Sequence, residues 1–318
     1  MSWEEVEIQE VSAKIVSGGT PKSTVKEYYN GNIPWLRTQE VIFKKIYNTD
    51  IKITEKGLNN SSAKMIEANC VIIAMYGNSA GRVGLNKIPL STNQACCNVQ
   101  IDKTKANEVF VFYNLLSRYH ELKSLSRGAA QSNLNSEDVK KFIIPYPPLQ
   151  TQKRIADILS GYDDLIENNL RRIKLLEQAA QNIYKEWFVN MRFPGHENAV
   201  INEETGLPEG WEEVLVNSKA SYFGRGITPK YKDGSGFFGI NQKVNKGSIL
   251  DTQHMKEFDT ELNIPEKKYA HFGDVLINSL GEGTIGRVHF YSGKSIIHPV
   301  DQHMSIFRSE DLGLNLFI

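Results

Sequence analysis

QTQKRIADILSGYDDLIENNLRRIKLLEQAAQNIYKEWF, residues Gln150 to Phe188, contains one glycine, Gly161, and no proline. Nothing in it punctuates a helix, and its apolar residues fall on a helical period. Ile155, Leu159, Tyr162, Ile166, Asn169, Ile173, Leu176, Ala180, Ile183 and Trp187 follow one another at alternating steps of four and three. That is the heptad spacing of a coiled-coil seam, with Asn169 as its polar position. At 1.5 Å per residue the helix should run roughly 55–60 Å. Such a seam needs a partner stripe, and no other part of the chain repeats the pattern.

Upstream, Pro145-Tyr146-Pro147-Pro148 predicts a rigid extended lead-in, because proline fixes φ and restricts its predecessor. Downstream, residues 189–210 hold Pro194-Gly195 and Leu207-Pro208-Glu209-Gly210 and read as a linker. Further out, the two flanks resemble each other. Trp3-Glu4-Glu5-Val6 returns as Trp211-Glu212-Glu213-Val214, 208 residues later. Gly18-Gly19-Thr20-Pro21-Lys22 returns as Gly226-Ile227-Thr228-Pro229-Lys230, and Asn93-Gln94 faces Asp301-Gln302, both at 208. Between these anchors the offset drifts to 203–205, so that Gln39-Glu40-Val41 faces Gln242-Lys243-Val244 and Gly81-Arg82-Val83 faces Gly286-Arg287-Val288.

Within each copy, Cys70–Met75 and Asp274–Ile277 are short apolar runs ending at Gly77 and Gly281, the pattern of buried strands. Val83-Gly84-Leu85 and Val288-His289-Phe290-Tyr291 read as the returning strands, and residues 107–125 have helical spacing through Val111, Leu115 and Leu122. The expected fold class is α+β: two repeated mixed units joined by a long coiled-coil-type helix. The expected boundaries are 1–147 for the first domain, 148–190 for the helix, 191–210 for a linker and 211–318 for the second domain. The second domain is expected to be incomplete, since Ile318 corresponds to residue 110 of the first copy.

Hydrophobic residues make up 40% of the chain and charged ones 23%, values of a folded globular protein. No apolar run approaches the roughly 20 residues of a membrane helix. The start, Met1-Ser2-Trp3-Glu4-Glu5, lacks a signal-peptide layout. Cys70, Cys96 and Cys97 form neither a paired framework nor a metal spacing, which favours a cytoplasmic location and buried thiols. Net charge is zero, but residues 1–147 carry 18 Lys+Arg against 14 Asp+Glu and residues 193–318 carry 12 against 17. A basic face suits duplex DNA, so charge permits such binding by the first part and disfavours it mildly for the last.

Signs of catalysis are absent from the pattern. Gly77 to Gly84 is glycine-rich but lacks the Gly-Lys-Ser/Thr ending of a phosphate loop, so a turn between strands is expected. Pro145-Tyr146-Pro147-Pro148 lacks the Asn or Asp of an amino-methyltransferase motif. His298 and His303 have no third metal ligand nearby. The loops do carry polar planar side chains of the kind that read base edges, Arg toward guanine and Asn or Gln toward adenine. In the first copy these are Arg37, Thr38, Gln39, Asn78, Arg82, Asn93, Gln94, Arg127, Gln131 and Asn133. In the second they are Gln242, Lys243, Arg287 and Gln302. Arg82 and Arg287 have an alternative role in bracing their own glycine-flanked loops.

Pro147-Pro148-Leu149-Gln150-Thr151-Gln152-Lys153-Arg154-Ile155-Ala156-Asp157-Ile158-Leu159, with Asp163-Asp164 and the closing Trp187-Phe188, resembles the central helical region of type I restriction–modification specificity subunits. Gly-x-Thr-Pro-Lys, Leu-Pro-Glu-Gly-Trp and Gly128-Ala129-Ala130-Gln131-Ser132-Asn133-Leu134 resemble motifs of their target recognition domains. The resemblance implies two such domains, each reading half of a split site in double-stranded DNA, at a distance set by helices. It implies adenine methyltransferase and restriction subunits as partners. S-adenosylmethionine, ATP and magnesium would then belong to those partners, with no cofactor and no catalytic residue on this chain. Full-length members add a second helix antiparallel to the first, for which this sequence has no counterpart. Its alternatives are a truncated or silent specificity cassette that binds a half-site, or a homodimer formed through the seam.

Overall fold

The computed structural model describes residues 3–126, 133–293 and 298–317. It divides into two compact units, residues 1–191 and 192–318. The first is built on a five-stranded sheet of β1 (Ser12–Ser17), β2 (Lys45–Ile46), β3 (Val71–Ala74), β4 (Val83–Asn86) and β5 (Cys96–Ile101), in the order β1-β5-β3-β4-β2. Strands β3 and β4 are an antiparallel pair, as are β5 and β3.

The apolar run of β3 is continuous because both of its faces are covered. Val71 and Ile73 join Val83, Leu85, Cys97 and Val99 in one core. Cys70, Ile72 and Ala74 point the other way, into a second core with Leu36, Val41, Leu90 and Cys96. Strand periodicity thus sends alternate residues of one segment into two cores. The first core is roofed by helices α1 (Glu108–Ser117) and α2 (Tyr119–Ser124), through the fully buried Val111, Leu115 and Leu122. The sequence suggested one helix here. It breaks at Arg118 (φ −106°, ψ 26°), whose guanidinium leaves the helix line to reach Glu121 and the carbonyl of Ile143.

The proline-rich lead-in is extended as expected, and it is also paired. Ile143–Tyr146 forms a two-stranded antiparallel ribbon with Glu4–Glu7. Helix α3 (Leu149–Tyr184) starts directly after it and runs on into a single wider π turn at Lys185–Val189.

The second unit holds β6 (Tyr222–Arg225), β7 (Val275–Asn278), β8 (Val288–Phe290) and β9 (Met304–Arg308) in the order β6-β9-β7-β8. This repeats β1-β5-β3-β4 strand for strand. Its core gathers Ile240, Val244, Leu276, Val300, Met304 and Ile306. The hydrogen bonds fix the register between the two copies. Leu36 accepts from the Asn93 amide as Ile240 accepts from the Asp301 amide, an offset of 204. One turn later Val41 donates to Thr38 as Val244 donates to Asn241, an offset of 203, so Gln39 faces Gln242 as the sequence spacing has it.

Candidate nucleic-acid interface

The Gly-x-Thr-Pro-Lys loop is built in the same way in both units. Gly18 donates to the carbonyl of Cys96, and Gly226 to that of Met304. The next residue, Gly19 or Ile227, donates to Thr92 at 2.8 Å or to Val300 at 2.7 Å. A Cβ on Gly18 would lie 2.1 Å from the Thr92 carbonyl oxygen, and one on Gly226 2.0 Å from that of Val300. Only glycine lets the two backbones approach so closely. On this base the Thr20 hydroxyl donates to Gln94 Oε1, and the Thr228 hydroxyl to Gln302 Oε1 at 2.7 Å. Both pairs span 74 residues, which is why local pattern could not show that the threonines position the glutamines.

The residues beside these glutamines differ. Asn93 uses its side-chain oxygen to accept from Cys96 Sγ at 3.2 Å. Its counterpart Asp301 is fully buried, accepts from Tyr231 at 2.7 Å and lies 2.6 Å from His303 Nδ1. Burial, reinforced by the Asp301 contact, pushes the Tyr231 phenol well above its ordinary range.

Other candidates divide into engaged and free. Arg37 lies 3.3 Å from Glu40 and 3.5 Å from Asp50. Gln39, with its amide oxygen turned inward, accepts from both terminal nitrogens of Arg37. Thr38 is half-buried in the same turn. Asn78 is exposed on the turn Gly77–Ser79, which joins β3 to β4 as the sequence suggested. Arg82, half-buried at the end of this turn, has no side-chain partner among the described residues. Asn133 is exposed and bridges to Tyr76. Arg127 and Gln131 lie outside the described residues.

In the second unit Arg287 has the bracing role. It donates to the carbonyl of Asn245 at 2.9 Å, while the buried Asn245 amide returns a bond to its carbonyl at 3.1 Å. Lys243 is exposed, whereas the Gln242 side-chain oxygen is buried without a partner among the described residues. The three thiols are buried, which pushes Cys70 up to about 11 and Cys97 up to about 12. No group of three His, Cys, Asp or Glu among the described residues could hold a metal ion. No helix among them is long and apolar enough to cross a membrane.

Helix α3 is tied to the first unit along one face. Gln152, fully buried, accepts from the Asn107 amide at 2.9 Å and donates to the Pro147 carbonyl at 2.8 Å. Tyr113 donates to Asp163 at 2.6 Å, Tyr47 donates to Glu167 at 3.0 Å, and Lys45 pairs with Asp164. Burial, then the bond to Glu167, pushes the Tyr47 phenol up to about 12. These contacts lie beside the heptad seam. Ile155 packs on the core, but from Leu159 onward the seam is open: Tyr162 is 66% exposed, Ile166 56%, Ile173 52% and Leu176 69%. Asn169, Ala180, Ile183 and Trp187 are exposed as well.

A family model described as the type I restriction modification DNA specificity domain matches residues 1–178. The type I restriction enzyme MjaIX specificity subunit of Methanocaldococcus jannaschii is 31% identical over 219 residues, 66% of this chain and 50% of that protein. The EcoR124I/EcoR124II specificity subunit of Escherichia coli is 28% identical over 182 residues, 54% of this chain and 45% of that protein. The chain spans about half the length of these relatives. The crystal structure of a type I restriction–modification S subunit from M. genitalium has the same fold, with a TM-score of 0.63 at 17% identity over 97% of this chain and 73% of that one. Matching on more than half its length, and carrying the helix and sheet order described above, the chain belongs to the family of type I restriction modification DNA specificity domains.

Proposed function

We propose that the chain is a DNA sequence-specificity subunit, each of whose units reads one half of a bipartite target. The observation that carries this reading is the duplication: one strand order and one glycine–threonine loop built twice in a single chain of this family. Phosphate contacts position such a protein and base-edge contacts specify the site. Arg82, Asn78, Gln94 and Asn133 in the first unit, with Gln302 and Lys243 in the second, have side chains open to DNA. Arg37 and Arg287 would act mainly by shaping the loops that carry the others.

In this reading the chain has no catalytic residue and binds no cofactor. Adenine methyltransferase and restriction subunits would bring S-adenosylmethionine, ATP and magnesium, and the exposed face of α3 would help to dock them. Three buried unpaired thiols agree with a cytosolic setting. The test is to express the chain with a type I methyltransferase subunit from its own genome and to map adenine methylation by single-molecule sequencing. A split motif, one half of which changes when the 278–287 loop is exchanged, is the expected result. Methylation at an uninterrupted motif, or a motif indifferent to the exchange, would end the proposal.

A second reading is favoured by the open seam: two copies pair their α3 helices antiparallel and read a palindromic split site with two first units. Asn169 lies near the middle of the seam, where a two-fold axis would bring its copies together.

A further inference from the structure

We infer that Thr20, Gln94 and Lys22 in the first unit, and Thr228, Gln302 and Lys230 in the second, form two copies of a clamp for the DNA phosphate backbone, not for bases. The inference rests on the DNA-reading role proposed above and assigns these residues a separate part in it.

The first argument is the contrast between what the units share and what they do not. Their turn between the central strands differs, Gly77-Asn78-Ser79-Ala80-Gly81 against Gly281-Glu282-Gly283-Thr284-Ile285-Gly286. Thr38-Gln39-Glu40 faces Asn241-Gln242-Lys243, and the second copy is one residue shorter at Arg37. Asn93 becomes Asp301. Amid these changes the threonine-to-glutamine bond, the glycine approach and the following lysine are kept at one common register. Two units that read different half-sites have the sugar–phosphate backbone in common, and a device shared by both suits that common element.

The second argument is chemical. A glutamine reads adenine by offering its N–H to one atom and its oxygen to another. Here a threonine hydroxyl holds one lone pair of the oxygen in each unit, which fixes the amide and leaves its nitrogen as the end without a bond. Neither amide nitrogen has a partner among the described residues. Donors alone suit phosphate oxygens, which only accept. Lys22 and Lys230 are exposed, two residues beyond the threonines; neither makes a salt bridge among the described residues, though the Lys230 charge is felt by Asp259. A loop held by glycine contacts too close for any Cβ keeps these donors in place before DNA arrives.

The experiment uses the full chain in complex with its methyltransferase subunit, probed with two 40-base-pair duplexes over a range of salt. One duplex carries the mapped methylation motif and the other has it scrambled. Lys22→Ala and Lys230→Ala should each weaken binding to both duplexes by the same factor and lower the slope of log affinity against log salt by about 1. Gln94→Glu should weaken both further, and Thr20→Val should weaken both with the motif unchanged. Four outcomes overturn the clamp: an altered motif, a loss confined to the motif duplex, loss of the methyltransferase on gel filtration, or unchanged affinity and slope in the lysine variants. The lysines are exposed, so their variants keep the fold and keep the test decisive. If the unmodified complex fails to prefer its own motif, base reading falls, while the salt slope on scrambled DNA still judges the clamp.

Discussion

Gln152 uses both ends of its amide inside the first unit, stapling the start of α3 to the start of α1. Replacing it by Leu keeps the volume but leaves the Asn107 amide and the Pro147 carbonyl without partners. Each unsatisfied buried group costs about 1–3 kcal/mol, so Gln152→Leu should lower stability by roughly 2–4 kcal/mol in urea unfolding. A loss below 1 kcal/mol would mean that water reaches both groups. In the sequence this glutamine is one residue of the Pro-Pro-Leu-Gln-Thr-Gln motif, and nothing local marks it as buried. Its place seven positions before Leu159 puts it on the seam's own face, and only the distant Asn107 amide explains why a polar residue is buried there. Arg37 shows the opposite limit. Its type pointed to guanine, and Glu40 and Asp50 already hold it. Residue type names what a side chain can bind, and which partner reaches it first is settled by chain segments that sequence spacing does not bring together.

Elements were more legible than residues. Heptad spacing found α3 to within a residue or two at each end, because a periodicity of this length is redundant. The π turn at Lys185–Val189 was not legible, since one wide turn shifts the phase too late to disturb the count. Nor was the face of α3 that meets the first unit, which is polar and anchored by Tyr47, Lys45 and Tyr113. Those phenols make the anchor sensitive to alkali. An unfolded tyrosine ionises near 10, and Tyr47 in place is pushed up to about 12. The protonated form is thus the one the fold favours, and its contribution is complete below pH 10 and lost as pH rises through 12. Tyr47→Phe should flatten the fall of stability between those pH values, as followed by circular dichroism. An identical alkaline profile in the variant would contradict it. The seam makes a second prediction at this scale. Buried apolar surface is worth roughly 25 cal/mol per Å², so an uncovered stripe from Leu159 to Ile183 should drive concentration-dependent pairing in the absence of a methyltransferase subunit. Ile166→Asp with Ile173→Asp should abolish it in sedimentation velocity. A monomer at tens of micromolar, unchanged by those substitutions, would rule out pairing through the seam.

For the molecule as a whole, internal repetition made the duplicated architecture readable from sequence, with β3 and β4 and their counterparts β7 and β8, but not the order of the four shared strands. It worked because the anchors at an offset of 208 are backbone necessities, a glycine where no Cβ fits and the hydrogen bonds around it. Separate cores in the two units predict that brief proteolysis cuts within residues 192–219 and releases a fragment near 1–191 that melts cooperatively. Early cleavage inside β3 to β5 would contradict this. The exposed seam also has a consequence for the living cell. An uncovered stripe of leucine and isoleucine is what chaperones hold and quality-control proteases follow. Unaccompanied copies should therefore be short-lived, and the amount of this chain should track the supply of whatever covers α3, a dosage control that needs no dedicated regulator.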